Sequence, residues 1–131
     1  MGSTSILVVD DDAAFRAAVS RLLGSAGYRV AEAQGGGRAQ TVLQSARPDI
    51  LVTDIIMPDG DGIELINAVK WRYPTIRILA VSGRGCLGTL DLLKMAAMVG
   101  ADATLSKPLG PEDLLSKVAG LVAMGPGSYP T

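Results

Sequence analysis

The hydrophobic positions of the chain form five short runs, at residues 5–9, 28–33, 49–53, 76–81 and 102–105. Most of these runs are apolar and β-branched at consecutive positions, whereas a strand with one solvated face alternates apolar and polar residues. Consecutive apolar positions are typical of strands that are buried on both faces, as in a parallel sheet. The pattern therefore predicts five buried, parallel strands.

The segments between these runs carry apolar residues at helical spacing. In the first segment such residues recur about once per turn, and they are Phe15, Val19, Leu22, Leu23 and Ala26. This helix is expected to end at Gly27. The later helices are expected over residues 37–46, 62–71 and 88–99 and from Pro111 onward. Strict alternation of strand and helix predicts a doubly wound α/β sandwich.

Composition narrows the class of protein. A chain of 131 residues fits one ordinary domain, and its single cysteine, Cys86, cannot form an intrachain disulfide. The absence of histidine excludes Ser-His-Asp and Cys-His catalysis, histidine-containing zinc sites and a role as phosphohistidine donor. A net charge of −1 argues against nucleic-acid binding, and no apolar run reaches the ~20 residues of a membrane span. We expect a cytoplasmic protein that binds neither nucleic acid nor membrane.

Charged and hydroxyl side chains follow four of the predicted strands. They are Asp10, Asp11 and Asp12 after the first, Asp54 after the third, Ser82 after the fourth, and Lys107 after the fifth. Ligands bind parallel sheets at the carboxyl ends of the strands. If the first and third strands are neighbours, their carboxylates converge and repel one another unless a cation intervenes. Oxygen ligands without histidine or cysteine favour Mg²⁺. Asp12 alone is expected to cap the first helix.

In order and spacing, four motifs resemble those of a response-regulator receiver domain: ILVVDDD (6–12), PDILVTDIIMPDGDG (48–62), ILAVSG (78–83) and GADATLSKP (100–108). The resemblance covers residues 5–123, which leaves residues 1–4 as an N-terminal extension and residues 124–131 as a tail or linker stub. It implies a flavodoxin-like, five-stranded parallel sheet of strand order 2-1-3-4-5, with five helices on two faces.

The resemblance also implies a metal site. Asp11, Asp54 and the backbone carbonyl of Ile56 would bind Mg²⁺ or Mn²⁺ directly, and Asp10 would act largely through a bound water. Asp54 would be the phosphoacceptor, and its donor would be a sensor histidine kinase or a histidine phosphotransfer protein. Apart from this self-phosphorylation and the subsequent self-dephosphorylation, no enzyme activity is expected.

Two further residues carry roles by resemblance. Lys107 would pair with the acyl-phosphate oxygens, and Ser82 would move to hydrogen-bond the phosphoryl group. The Lys107–Pro108 peptide bond is expected to be cis, which fits the small cis penalty of proline. Thr104 and Leu109 depart from the family, which has an aromatic residue at the first position and often has one at the second. These departures leave the output mechanism open.

The output surface is a separate expectation. Residues 87–99, LGTLDLLKMAAMV, are apolar nearly all round, which is typical of a contact site. With the last helix they would bind a downstream effector or a second copy of the chain. Two alternatives stay open. Beside a receiver switched by phosphorylation, the chain could be an interaction-only receiver that acts without phosphorylation, or the receiver part of a longer transcriptional regulator or hybrid kinase.

Three other motifs are given structural interpretations. Residues 83–88 spell GxGxxG, but the acid twenty residues on, Asp102, starts a strand, whereas a ribose-binding acid ends one. Residues 59–62, DGDG, fail the calcium-loop pattern at later positions and indicate a polar turn. Residues 70–73, KWRY, place cations at the end of a helix, where they suit its dipole.

Overall fold

The computed structural model describes residues 4–55, 62–83 and 89–127, and these form five strands and five helices in alternation. The elements, in chain order, are β1 (Ser5–Val9), α1 (Ala13–Ser25), β2 (Arg29–Ala33), α2 (Gly36–Ser45), β3 (Ile50–Asp54), α3 (Gly62–Arg72), β4 (Arg77–Ser82), α4 (Thr89–Val99), β5 (Ala103–Ser106) and α5 (Pro111–Met124). The sequence-based bounds agree to within one residue at most ends.

The five strands make one parallel sheet in the order β2-β1-β3-β4-β5, which confirms the predicted fold class. The register aligns Val9 with Thr53, and Asp54 with Val81. Between β4 and β5 it aligns Ser82 with Ser106, the last residue of each strand. The carboxyl ends of β1, β3, β4 and β5 therefore meet at one edge, where the sequence places its charged and hydroxyl residues.

Successive residues of the central strands face two separate hydrophobic clusters, because side chains alternate between the faces of a strand. Leu7 and Val9 of β1 pack with α2, α3 and α4, whereas Ile6 and Val8 pack with α1 and α5. Helices thus cover both faces, which explains why the strands are apolar at consecutive positions. The edge strand β2 is more exposed and carries Glu32 on its surface.

Local sequence explains where α1 begins and ends. The Asp12 carboxylate accepts a hydrogen bond of 3.1 Å from the Phe15 N–H, so Asp12 is the predicted N-cap. Beyond the helix, Gly27 has a φ of +99°, a left-handed conformation that glycine adopts without steric cost. The predicted helix stop therefore lies at a residue that the turn requires.

Two glycines permit close approaches that a side chain would block. A Cβ added to Gly62, at the start of α3, would lie 2.2 Å from the carbonyl oxygen of Asp54. A Cβ added to Gly100 would lie 2.7 Å from Cγ of Lys70, and the φ of Gly100 is +129°. Gly62 thus lets α3 begin directly against the end of β3. Among the described residues, no helix is both long enough and apolar enough to cross a membrane.

Candidate functional site

Asp10 is fixed immediately after β1. Its side chain is almost fully buried, with the residue 1% exposed. Its backbone N–H donates to the carbonyl of Ala33 at 3.2 Å, and its Oδ1 accepts the backbone N–H of Asp12 at 2.8 Å. These bonds leave Oδ2 directed toward the neighbouring strands. A buried carboxylate needs such partners, because an unpaired charge is costly away from water.

Asp54, the last residue of β3, lies beside Asp10. It is 8% exposed, and its Oδ1 accepts the N–H of Ile55 at 2.8 Å. Asp11 is exposed at the mouth of the site. One carboxylate oxygen from each of Asp10, Asp11 and Asp54 lies within 4.8 Å of the other two. The predicted convergence of the β1 and β3 carboxylates therefore occurs.

Lys107 supplies the positive charge of the site. Its Nζ lies 2.9 Å from Oδ2 of Asp10 and 3.6 Å from Oδ2 of Asp54. Burial lowers the pKa of this ammonium, but the hydrogen bond to Asp10 and the charges of Asp54 and Asp10 outweigh that effect, so the pKa is raised. Lys107 is therefore positively charged at neutral pH. The Lys107–Pro108 peptide bond is cis, as predicted.

Ser82 ends β4 with its hydroxyl fully buried, and this hydroxyl has no hydrogen-bond partner among the residues that the structure describes. Ile56, predicted to contribute a backbone carbonyl to the metal site, lies outside the described residues. Thr104, which departs from the aromatic residue usual in the family, is half-buried in β5 and aligned with Ala80. The site thus contains a buried hydroxyl that is available to a ligand.

Two residues of α1 were missed in the sequence as parts of the site. The Arg16 Nη1 donates to the backbone carbonyl of Asp10 at 2.7 Å, and its Nε lies 2.9 Å from the Glu32 carboxylate. The ring of Phe15 lies under Lys107, with Nζ 4.0 Å from the ring centroid. Helical periodicity identified Phe15 only as core-facing. Its contact with Lys107 depends on a tertiary arrangement that periodicity does not encode.

The three carboxylates fit a small divalent cation. Mg²⁺ binds oxygen at about 2.0–2.1 Å in an octahedron, so its ligand oxygens lie roughly 3–4 Å apart. The carboxylate oxygens of Asp10, Asp11 and Asp54 already lie within 4.8 Å of one another. Among the residues that the structure describes, three carboxylates face one ammonium, which leaves negative charge for a cation to balance. The donor set, all oxygen, suits a hard ion.

Several other sequence motifs lie away from this site. Asp102 accepts the N–H of Ile78 at 2.8 Å at the opposite edge of the sheet, so it is not placed to bind a ribose at the carboxyl ends. Within 70–73, Lys70 is buried against Asp102 and the Tyr73 ring stacks under Arg47, which supports a structural role. Residues 59–61 and 84–88 lie outside the described residues.

The described part of α4 has exposed apolar side chains. Met98 is 86% exposed and Met95 is 48% exposed, while Ala96 is buried against the sheet. In the second half of the predicted surface at 87–99, the structure thus has apolar side chains exposed to solvent. The side chains of Leu90 and Leu93, in the first half of the predicted surface, lie outside the described residues.

Comparison with known protein families gives the class. The family model "Response regulator receiver domain" matches residues 6–119, so the chain belongs to this family of two-component signalling domains. The resemblance seen in the four motifs is therefore confirmed.

Individual relatives agree with this assignment. The chain is 36% identical over 121 residues to the response regulator MprA of Mycobacterium tuberculosis, covering 92% of this chain and 51% of the relative. It thus spans about half the length of the curated relatives it matches. A Vibrio cholerae chemotaxis response regulator, CheY4, is 33% identical with a TM-score of 0.80, covering 92% of this chain and 99% of that one. A CheY-like receiver domain protein from Methanospirillum hungatei is 28% identical with a TM-score of 0.87, covering 94% and 96%.

Proposed function

We propose that the protein accepts a phosphoryl group on Asp54 from a phosphohistidine of a sensor histidine kinase or a histidine phosphotransfer protein. One observation carries this proposal: Asp54 lies among two further carboxylates and the Lys107 ammonium at one sheet edge. Phosphoryl transfer needs mainly positioning and charge neutralisation, and this arrangement supplies both. The 131 residues contain no histidine, so the donor histidine lies outside them.

In the proposed step, a carboxylate oxygen of Asp54 attacks phosphorus as the phosphorus–nitrogen bond of the donor breaks. The imidazole leaves with the electron pair of that bond and takes up a proton, and an acyl phosphate forms on Asp54. The N–H of Ile55, 2.8 Å from Oδ1, holds the carboxylate in one orientation. Lys107, 3.6 Å from Oδ2, is near enough to pair with a phosphoryl oxygen after a small movement.

Asp10, Asp11 and Asp54 would hold Mg²⁺ or Mn²⁺, with the backbone carbonyl of Ile56 added by family resemblance. When bound, the ion neutralises charge on the phosphoryl oxygens. Asp10 already pairs with Lys107 at 2.9 Å, which suits a role through a bridging water rather than direct ligation. Asp11 is exposed, so its carboxylate is the one of the three that would hold the ion at the solvent side of the site.

Ser82 would report the phosphorylated state. Its buried hydroxyl lacks a partner among the described residues, and an unsatisfied buried polar group typically costs about 1–3 kcal/mol. A phosphoryl oxygen on Asp54 would accept a hydrogen bond from this hydroxyl. The gain in hydrogen bonding would then favour the phosphorylated conformation over the free one.

The product of the reaction would be a changed interaction surface rather than a released metabolite, so we propose no enzyme activity beyond self-phosphorylation and self-dephosphorylation. Exposed Met95 and Met98 on α4 support a contact there with an effector or, together with α5, with a second copy. Sedimentation across a concentration series, with and without a phosphoryl mimic, tests the dimer. A monomer throughout would exclude it.

Mass spectrometry after incubation with acetyl phosphate and Mg²⁺ tests the phosphorylation itself. We expect one base-labile phosphate that is absent from Asp54→Asn. Asp12→Asn is the matched control, because asparagine caps a helix as well as aspartate does and the chemical change is the same. It should be labelled like the unsubstituted protein.

An interaction-only receiver makes the opposite prediction. No adduct, under conditions in which a control receiver is labelled, would favour binding without phosphorylation. The receiver part of a longer regulator remains a second proposal, supported by the length of MprA, of which this chain spans about half. The sequence that follows in the coding region would identify the output directly.

A further inference from the structure

Lys107 has three neighbours that together fix its ammonium. Nζ lies 2.9 Å from Asp10 and 3.6 Å from Asp54, and the third neighbour is the ring of Phe15, 4.0 Å from Nζ to the centroid. The negatively charged face of an aromatic ring attracts a cation in the same way that the carboxylates do, but without forming a hydrogen bond.

Phe15 is well placed to hold this position firmly. Its backbone N–H is bonded to Asp12 in the first turn of α1, and its half-buried ring packs against the core cluster that α1 shares with α5. The same ring and Lys107 line an open apolar groove of about 670 Å³. Without the ring, more of the lysine stem would face the open groove, and the side chain could adopt more conformations.

A lysine side chain has four rotatable bonds, so its ammonium loses much conformational freedom when it is held at one point. A carboxylate pair alone lets Nζ move toward either oxygen or toward water. The ring face restrains the ammonium from a third direction, and it does so without accepting one of the ammonium's hydrogen bonds. These hydrogens stay available to Asp10, to Asp54 and to an incoming phosphoryl oxygen.

We propose that Phe15 is a positioning residue for phosphorylation, whose ring face holds Lys107 between Asp10 and Asp54. This proposal rests on the proposed function, because it concerns the lysine that would meet the phosphoryl group. The arrangement speeds transfer by placing the charge before the reaction begins.

The composition of the chain provides a sharp test, since Phe15 is its only phenylalanine. Biosynthetic replacement with mono-, di- and trifluorinated phenylalanine therefore changes this ring alone. Fluorines withdraw electron density from the ring face while the ring keeps nearly the same shape. We expect the rate of labelling by acetyl phosphate to fall stepwise, by about 3- to 10-fold across the series. A flat series would overturn the proposal.

Substitutions give the second arm. Phe15→Leu keeps an apolar side chain without a ring and should slow labelling by a similar factor, whereas Phe15→Tyr keeps the ring and should stay within about 2-fold. In a Lys107→Ala background, Phe15→Leu should have no further effect. If it slows labelling equally there, Phe15 acts on stability and not through Lys107. Rates are expressed per folded molecule, measured by thermal unfolding of each variant.

An NMR measurement separates this proposal from the proposed function. Protons on the Lys107 ε-carbon should be shifted upfield by the ring current of Phe15, and Phe15→Leu should remove that shift. This readout needs no phosphorylation. An upfield shift with no labelling of the unsubstituted protein would refute the phosphorylation proposal and leave the contact standing. Labelling without the shift would refute the positioning role alone.

Discussion

The two edges of the sheet hold ionic clusters with opposite charge balance. At the carboxyl edge, Asp10, Asp11 and Asp54 face the single ammonium of Lys107. At the amino edge, the single carboxylate of Asp102 lies between the cations of two basic residues, Lys70 and Arg77. Both clusters join neighbouring strands, and both are largely buried. Among the described residues, the first cluster carries surplus negative charge and the second carries surplus positive charge.

In the amino-edge cluster, the surplus hydrogen-bond donors find acceptors within the protein. Asp102 accepts bonds from the Ile78 N–H at 2.8 Å and from Arg77 Nη1 at 2.9 Å, and Lys70 Nζ lies at 3.4 Å. The remaining donors of Arg77 reach the carbonyls of Gly125, at 2.8 Å, and of residue 126, at 3.4 Å. Chain carbonyls thus take the extra donors. A structural cluster is satisfied by its own fold, whereas a site leaves room for a ligand.

The largest effect is expected from breaking the amino-edge cluster. Asp102→Ala leaves the buried cation of Lys70, the half-buried cation of Arg77 and the Ile78 N–H without their shared acceptor, so the free energy of unfolding should fall by about 3–5 kcal/mol. Chemical denaturation measures this. Asp102→Asn keeps an acceptor and should lose less. Phosphorylation per folded molecule should stay unchanged, and a loss of labelling in Asp102→Asn would show that the two edges are coupled.

The fold could be predicted nearly completely, because most strands are apolar at consecutive positions and the helices carry apolar residues at helical spacing. Residues 50–54 form a strand on local pattern alone, and both cores follow from alternation along it. Helix ends were predictable where one residue decides them, as at Gly27 and Pro111. Strand order came from family resemblance, since periodicity does not state which strands are neighbours.

The candidate site was predictable in its charged residues and not in its supports. Asp54 and Lys107 can be recognised in the sequence, because each is a charged residue at the end of a predicted apolar strand. Arg16 and Phe15 lie on a helix, where an arginine and a phenylalanine are ordinary surface and core residues. Their contacts with Asp10 and Lys107 arise only when α1 packs on the sheet. Asp102 was likewise considered only as the start of a strand.

The second prediction concerns the tail after α5. Arg77→Met keeps the aliphatic stem but removes the donors to Gly125, so the hydrogen bond from the Gly127 N–H to Thr75, 3.0 Å long, should open more often. Losing a bond to a charged group typically costs about 1.5–3 kcal/mol, or roughly 10- to 100-fold in hydrogen exchange at Gly127. Exposed Arg72→Met is the control and should leave this exchange unchanged. Unchanged exchange in Arg77→Met would show that the tail is held by other contacts.

The third prediction is that Mg²⁺ distinguishes the two edges of the sheet, because it should bind only the carboxyl edge. Mg²⁺ should stabilise the protein, by about 1.4 kcal/mol at ten times its dissociation constant, because it binds the folded carboxyl edge only. Thermal unfolding at constant ionic strength measures this, with NaCl as the matched salt. Asp102→Asn should keep the full response, and Asp54→Asn should lose most of it. Equal responses in the two variants would place the ion elsewhere.

The smallest expected effect is that of Asp11→Asn on the free energy of unfolding, and its sign is the informative part. Asp11→Asn removes one of three like charges, so without divalent cations the free energy of unfolding should rise by up to about 1 kcal/mol. In saturating Mg²⁺ the order should reverse, since the variant has lost a ligand for the ion. Asp12→Asn, which keeps the cap of α1, should show neither change. Denaturation in EDTA and in Mg²⁺ measures both signs, and a variant that is less stable in EDTA would show that the carboxyl edge is as internally balanced as the amino edge.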